Sequence, residues 1–215
     1  MRLRLLSAAA ITVLSVAHAQ APATRDLKLR GDRFKPLTYE QLTPEQKKLV
    51  EDLYAGERGG MSGPFNVLLR SPEMGDQMQK LGAQLRFHSS LPPKVRELAI
   101  IMTGREWNAQ YEWYAHSRLA VQAGVSQAIV DAIAAGKRPA GLDPDEEIVY
   151  NFCSELFKTK QVSDPVFHAA VNKLGERGVV DLTALVGYYH IVSMLLNIDR
   201  YPLADGAKPE LKPLR

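Results

Sequence analysis

The chain has 215 residues, 46% hydrophobic and 24% charged, with a formal net charge of +3 and a single cysteine, Cys153. That length fits one domain with short extensions, and the balance of apolar to charged residues excludes wholesale disorder. A positive charge so small and evenly spread excludes a nucleic-acid footprint. One thiol excludes an intramolecular disulfide, a cysteine-based zinc site and a two-thiol redox centre within the chain.

The first residues read as a secretory signal. Arg2 and Arg4 precede an apolar stretch from Leu5 to Val16, and Ala17-His18-Ala19 supplies a small-x-small cleavage pattern. The stretch is shorter than the roughly 20 residues that span a bilayer, and no second hydrophobic segment is evident. The expectation is cleavage after Ala19 and a periplasmic or secreted protein with no membrane association once the signal is removed. Loss of residues 1–19 removes Arg2 and Arg4 and lowers the formal charge from +3 to +1.

Residues 20–42 read as an extended lead-in. Thr43-Pro44-Glu45-Gln46 is a capping box with proline at the first helical position and predicts a helix to about Arg58. Gly59-Gly60-Met61-Ser62-Gly63-Pro64 breaks it; without the lysine and spacing of a P-loop, it reads as a mobile loop or lid. Ser71-Pro72-Glu73 opens a second helix ending near His88. Pro92-Pro93 starts a third, apolar on nearly all sides through Val95 and Leu98 to Met102, as expected of a buried helix.

A fourth helix covers about Trp107 to Ala123 and stops at Gly124. Ser126 caps a short fifth ending at Gly136, and Asp143-Pro144-Asp145-Glu146 begins a sixth. Ser163-Asp164-Pro165 begins a seventh ending near Gly178, and Asp181 caps the last, to about Ile198. Sustained two-residue alternation and Asn-Gly turns are both missing. The expected fold class is all-α: a compact multi-helix bundle over residues 43–201, followed by a loose tail, 202–215.

Chemistry concentrates in Gly104 to His116, which holds both tryptophans, Trp107 and Trp113, together with Tyr111 and Tyr114. At about 100° per residue, Ala109, Glu112, Trp113, His116 and Ala120 share one face. Glu112 and His116 are four apart, so their side chains can meet. A carboxylate beside an imidazole fixes its tautomer and gives a proton donor or acceptor near neutral pH. The blander reading is a surface pair worth a few tenths of a kcal/mol.

Glu97 lies inside the apolar third helix, where an acid needs a partner. His116 or Arg105 can supply one; the alternative is a solvated stripe shared with Lys94. Glu97, Glu112 and His116 as metal ligands would differ from the Glu-x-x-His spacing of di-iron bundles, and no second copy exists, so no metal is expected. His190 reads as a core histidine with one satisfied hydrogen bond, and Cys153 as a small buried hydrophobe.

On these residues the sequence resembles the carboxymuconolactone decarboxylase-like, or alkylhydroperoxidase D-like, superfamily. The likeness runs from Gly63-Pro64-Phe65 through Leu91-Pro92-Pro93-Lys94-Val95-Arg96-Glu97-Leu98-Ala99-Ile100 to His116 and Ala120-Val121-Gln122-Ala123-Gly124-Val125-Ser126. It implies an alkylhydroperoxidase D-like bundle that assembles as a homo-oligomer, a trimer or hexamer. The hydroperoxidase branch carries a Glu, then Cys-x-x-Cys, then a His four residues after the second Cys. Here the Glu falls on Glu97, the His on His116, and the two cysteine positions on Ala109 and Glu112. The resemblance is therefore to a cysteine-free branch, for which no metal or organic cofactor is expected.

It implies a carboxy-lyase acting on a small carboxylated lactone or aromatic-derived acid. His116 would deliver the proton, Glu97 would orient the ring, and Glu112 would tune its charge or act as a second acid/base. Trp107, Tyr111 and Trp113 would wall the substrate pocket, with Arg105 on the substrate carboxylate. Two rival expectations are a hydroperoxidase-type oxidoreductase lacking the usual thiols and a non-catalytic exported ligand-binding protein.

Overall fold

A computed structural model describes residues 25–213. The expected signal segment, residues 1–19, with its cleavage point, lies outside the described residues. Those described form a 3-10 turn at Tyr39–Gln41 and eight α-helices: α1 (Pro44–Ala55), α2 (Phe65–Leu68), α3 (Pro72–Phe87), α4 (Pro93–Glu106), α5 (Gln110–Gln122), α6 (Gln127–Ala134), α7 (Pro144–Thr159) and α8 (Asp164–Asp199). No strand occurs among the described residues, and the fold is all-α.

Local chemistry sets most boundaries. The Thr43 hydroxyl accepts from the Gln46 N–H while the Gln46 side chain accepts from the Thr43 N–H, closing the expected capping box. Asp143 and Glu146 close another at the start of α7, and Ser126 caps α6. The apolar surface of α4 makes it the hub, packed against α5, α6, α7 and α8, with Val95 and Leu98 to Met102 buried.

The turn between α4 and α5 differs from expectation. Trp107 ends α4 rather than beginning α5, and Asn108 follows in the left-handed region with φ 48°. The Asn108 N–H donates to the Arg105 carbonyl and the Ala109 N–H to that of Gly104. This is a Schellman closure with asparagine where glycine is more usual. It reverses the chain in three residues and lays α5 against α4.

The last two expected helices are also divided differently. Between Asp164 and Asp199 the backbone leaves helical geometry at Gly175 (φ 71°, ψ 169°), a kink that joins two helices a few residues before the expected boundary near Gly178. The break falls there because glycine has no Cβ to oppose a positive φ. Asp181 caps nothing; its carboxylate accepts from the Ser90 N–H and from the hydroxyls of Ser89 and Ser90. By length and composition α8 is long and apolar enough to cross a membrane, with mean hydropathy 1.6 over its most apolar window, half of it buried inside the bundle. The sequence reading missed this second hydrophobic segment because its apolar residues are interrupted by Thr, Gly, Tyr and His.

Both extensions are fastened. In the lead-in, Leu27 is buried and the Phe34 N–H donates to Asp199 Oδ1 at 2.7 Å. The tail, expected to be loose, is tied across the end of α5. The Gln110 side chain accepts from the N–H groups of Glu210 and Leu211 and donates to the Leu211 carbonyl, and Leu211 itself is buried. Its order comes from these backbone bonds, which Gln110 supplies and residue composition does not reveal.

Candidate active site

Glu97, one turn into the interior of α4, and Glu112 and His116, on α5, converge beneath α8. His116 Nδ1 lies 2.7 Å from Glu97 Oε2, and His116 Nε2 lies 3.1 Å from Glu112 Oε1. All three side chains are buried, with relative exposures of 8%, 4% and 6% for Glu97, Glu112 and His116. Lys94, the alternative partner of Glu97, instead pairs with Asp143 at 2.6 Å and Glu146 at 2.9 Å. That leaves Glu97 to the imidazole. A carboxylate on Nδ1 fixes the ring so that Nε2 carries the exchangeable proton.

Burial pushes the Glu112 carboxyl above its ordinary range, an effect opposed chiefly by the charge of His116. The 3.1 Å contact places the Glu112 carboxyl within proton-transfer distance of the imidazole. Tyr189, on α8, caps the arrangement: its ring meets that of His116 edge-on at 5.1 Å between centroids, and its hydroxyl stands 3.5 Å from Nε2. Burial pushes the Tyr189 hydroxyl well above its ordinary pKa, so it stays protonated.

Glu112, His116 and Tyr189 open onto a pocket of about 110 Å³ that is also lined by Arg58, Arg86, Tyr111 and Tyr188. Ser62, Gly63 and Pro64 form its rim, so the glycine-rich segment expected to be a loop or lid does border the site. Glu97 stands behind the imidazole, away from the pocket wall. The two ring nitrogens address separate carboxylates, and among the described residues no group of three His, Cys, Asp or Glu side chains could hold a metal ion.

Of the four residues expected to contact substrate, only Tyr111 lines this pocket. Arg105, in the last turn of α4, is spent on Asn108 Oδ1 and the Lys212 carbonyl. Trp107 is partly exposed and donates its indole N–H to His190 Nδ1. That bond gives His190 the one hydrogen bond expected of it, but the ring is half-buried rather than in the core; its partial burial lowers its pKa. Trp113 is buried but turned to the other flank of α5, where its indole N–H donates to Glu210 Oε2 at 3.2 Å. The Schellman turn explains Trp107, which belongs to α4's end; Trp113 left the site because α5 is buried on two flanks and helical phase alone does not separate them.

The residues not anticipated are Arg58, Arg86, Tyr188 and Tyr189. They come from the α1–α2 connection, α3 and α8, distant in sequence from α5. The run Tyr188-Tyr189-His190 was visible, but nothing local assigns it to His116.

The architecture defines an all-α bundle with a buried acid–imidazole–acid row beside a small pocket. Residues 72–150 match the Carboxymuconolactone decarboxylase family. A solved structure from Ralstonia eutropha, described as an alkylhydroperoxidase AhpD core and an uncharacterized peroxidase-related protein, shares the fold with TM-score 0.65. It is 14% identical, over 80% of this chain and 92% of that one. No curated protein matches the chain. The shared architecture is the alkylhydroperoxidase D-like all-α bundle expected from the sequence.

Proposed function

We propose that the chain is a cofactor-independent carboxy-lyase that decarboxylates a small carboxylated lactone or aromatic-derived acid. The observation that carries this reading is the buried row Glu97–His116–Glu112, whose last two members face the pocket. In the reaction the carbon–carboxylate bond breaks, CO₂ departs, and the bonding electrons pass into a conjugated dienolate. That carbanion equivalent takes a proton at carbon from the Glu112–His116 pair, which is reprotonated from water. Glu97 does not touch substrate; it holds the imidazole in one orientation. The family-model match over residues 72–150 supports this reading.

The test is turnover of a carboxylated lactone in D₂O, with deuterium incorporated at the former carboxyl-bearing position. His116→Ala should lower the rate by about 10²- to 10⁴-fold. An unchanged rate ends this mechanism.

A hydroperoxidase reading draws support from the structural neighbour's description. Against it, the sole thiol, Cys153, is fully buried on α7 and burial pushes its pKa up to about 12, which suppresses the thiolate that peroxide chemistry needs. Peroxide consumption that survives Cys153→Ser would favour a thiol-free version of it. A non-catalytic exported binding protein would instead hold a carboxylated ligand without converting it. Export belongs to the same proposal, with cleavage after Ala19 and a periplasmic or secreted location, tested by N-terminal sequencing of the protein from its host. So does self-association as a trimer or hexamer, tested by sedimentation; the exposed apolar residues Val180, Ile191, Met194 and Ile198 along α8 support it.

A further inference from the structure

Two guanidinium groups, those of Arg58 and Arg86, line the pocket. Arg58 follows α1, and its guanidinium lies 4.6 Å from the centre of the Phe65 ring; Arg86 ends α3 and lies 5.3 Å from that of Phe87. Both line the pocket, and among the described residues neither forms an ion pair, whereas Arg25, Arg118 and Arg138 each pair with a glutamate. The nearest acid in the cavity, Glu112, is engaged by His116. Two like charges facing one small, partly dehydrated space repel each other, and a bound anion would relieve both.

A second observation points to the same place. Tyr188 is 2% exposed and lines the pocket; its hydroxyl packs against Gly82 beside Arg58 and donates to no acceptor among the described residues. Buried hydroxyls are ordinarily satisfied, so one whose proton is uncommitted at a pocket wall calls for an acceptor from a ligand. The ring is admitted to this position by Gly82, where a Cβ would stand 2.3 Å from the Tyr188 oxygen. The remaining walls, Tyr111, Leu119, Tyr189 and Val192, are largely aromatic or aliphatic and suit a small flat ring.

We propose that Arg58, Arg86 and the Tyr188 hydroxyl form a carboxylate clamp, holding an anionic group of the ligand that stays intact while its reacting carbon faces His116 and Glu112. The clamped group is not the one lost as CO₂. Pairing a departing carboxylate with two guanidiniums stabilises the ground state more than a transition state in which that charge is leaving, and so slows the reaction. The clamp takes the place first expected of Arg105 and rests on the carboxy-lyase reading only for the direction in which the ligand points.

The experiment is calorimetric binding of benzoate, with benzamide as its uncharged counterpart and inorganic phosphate as a non-carboxylate anion. Benzoate should bind the wild-type protein and the other two should not. Arg86→Gln and Arg58→Gln should each weaken benzoate by roughly 10- to 100-fold, as expected for a charge-assisted hydrogen bond. Arg58→Lys, which keeps the charge and the packing stem, should recover part of the loss and stands in if Arg58→Gln does not fold. Equal binding of benzamide or phosphate, no benzoate binding by the wild type, or arginine variants that bind benzoate normally would each overturn the clamp. Those outcomes leave turnover through His116 untouched, and turnover that survives His116→Ala would sink the lyase reading without disturbing the clamp.

Discussion

The two flanks of α5 carry hollows of very different size and opposite electrostatic character. On the tail side, a groove of about 540 Å³ runs past Trp113, Ser117, Arg118 and Glu210. On the α8 side lies the pocket of about 110 Å³ with Glu112 and His116. In the larger groove the charges are already matched: Arg118 pairs with Glu210 at 3.1 Å, and Asp131 accepts from Gln127 at 2.8 Å. In the smaller one, two arginines form no ion pair among the described residues, and a buried phenol beside Arg58 donates to no acceptor. Space is cheap on a helical surface with a strap laid across it. Unmatched polar groups in a buried setting are costly, and that cost distinguishes the chemical face from the structural one.

Substitutions can break this contrast, and the largest effect is expected at His116. Beyond its effect on rate, His116→Ala strands Glu97 and Glu112 without a counter-charge and should cost about 3 kcal/mol or more in urea denaturation, as for a broken buried pair. Loss of activity with full stability would place His116 on the surface in solution and remove the basis of the comparison. Gly82→Ala follows, at about 1–3 kcal/mol, because the added methyl collides with the Tyr188 hydroxyl. Thermal unfolding reads the cost directly.

Glu112→Gln sharpens the comparison through pH. Because burial raises the Glu112 pKa, the folded protein retains a proton that the unfolded chain gives up above its ordinary value of 4.5. This group's contribution to stability therefore falls as pH rises from 4.5 through the raised value. The variant should lack that fall, and any alkaline loss of turnover that depends on the Glu112 proton should disappear with it. Parallel stability–pH curves for the two proteins would show that Glu112 titrates normally. The smallest effect belongs to the other flank. Glu210→Ala removes a half-exposed pair and should cost about 0.2–1 kcal/mol with turnover as in the wild type. Loss of turnover there would move the functional face to the tail groove.

What the sequence disclosed follows from interaction range. Caps at Thr43, Ser126 and Asp143 act over three residues, so their helices start where the sequence places them. The Glu112–His116 contact spans one helical turn and was equally visible. Glu97 was legible as a misfit, an acid in an apolar helix, although its partner depended on how α4 and α5 lie together. Arg58, Arg86 and Tyr189 were not legible as site residues, since three separate elements bring them to α5. Trp107 was misplaced by starting the fourth helix at Trp107 rather than Gln110, and Arg105 because its partners, Asn108 and the Lys212 carbonyl, come from the turn and the distant tail. The break between the last two helices was expected near Gly178 and falls at Gly175, because which of two nearby glycines takes the positive φ depends on packing rather than on local sequence.

The three-residue reversal at Asn108 also acts as an indexing tooth. It sets the angle at which α5 leaves α4, and one α-helical residue advances that angle by about 100°. A single residue inserted between Asn108 and Gln110 would swing the imidazole out of reach of the acid on α4 while preserving the helix, the composition and every local spacing. Length variation in this hairpin is thus a sensitive gauge of whether a related chain can align its proton-carrying side chains at all.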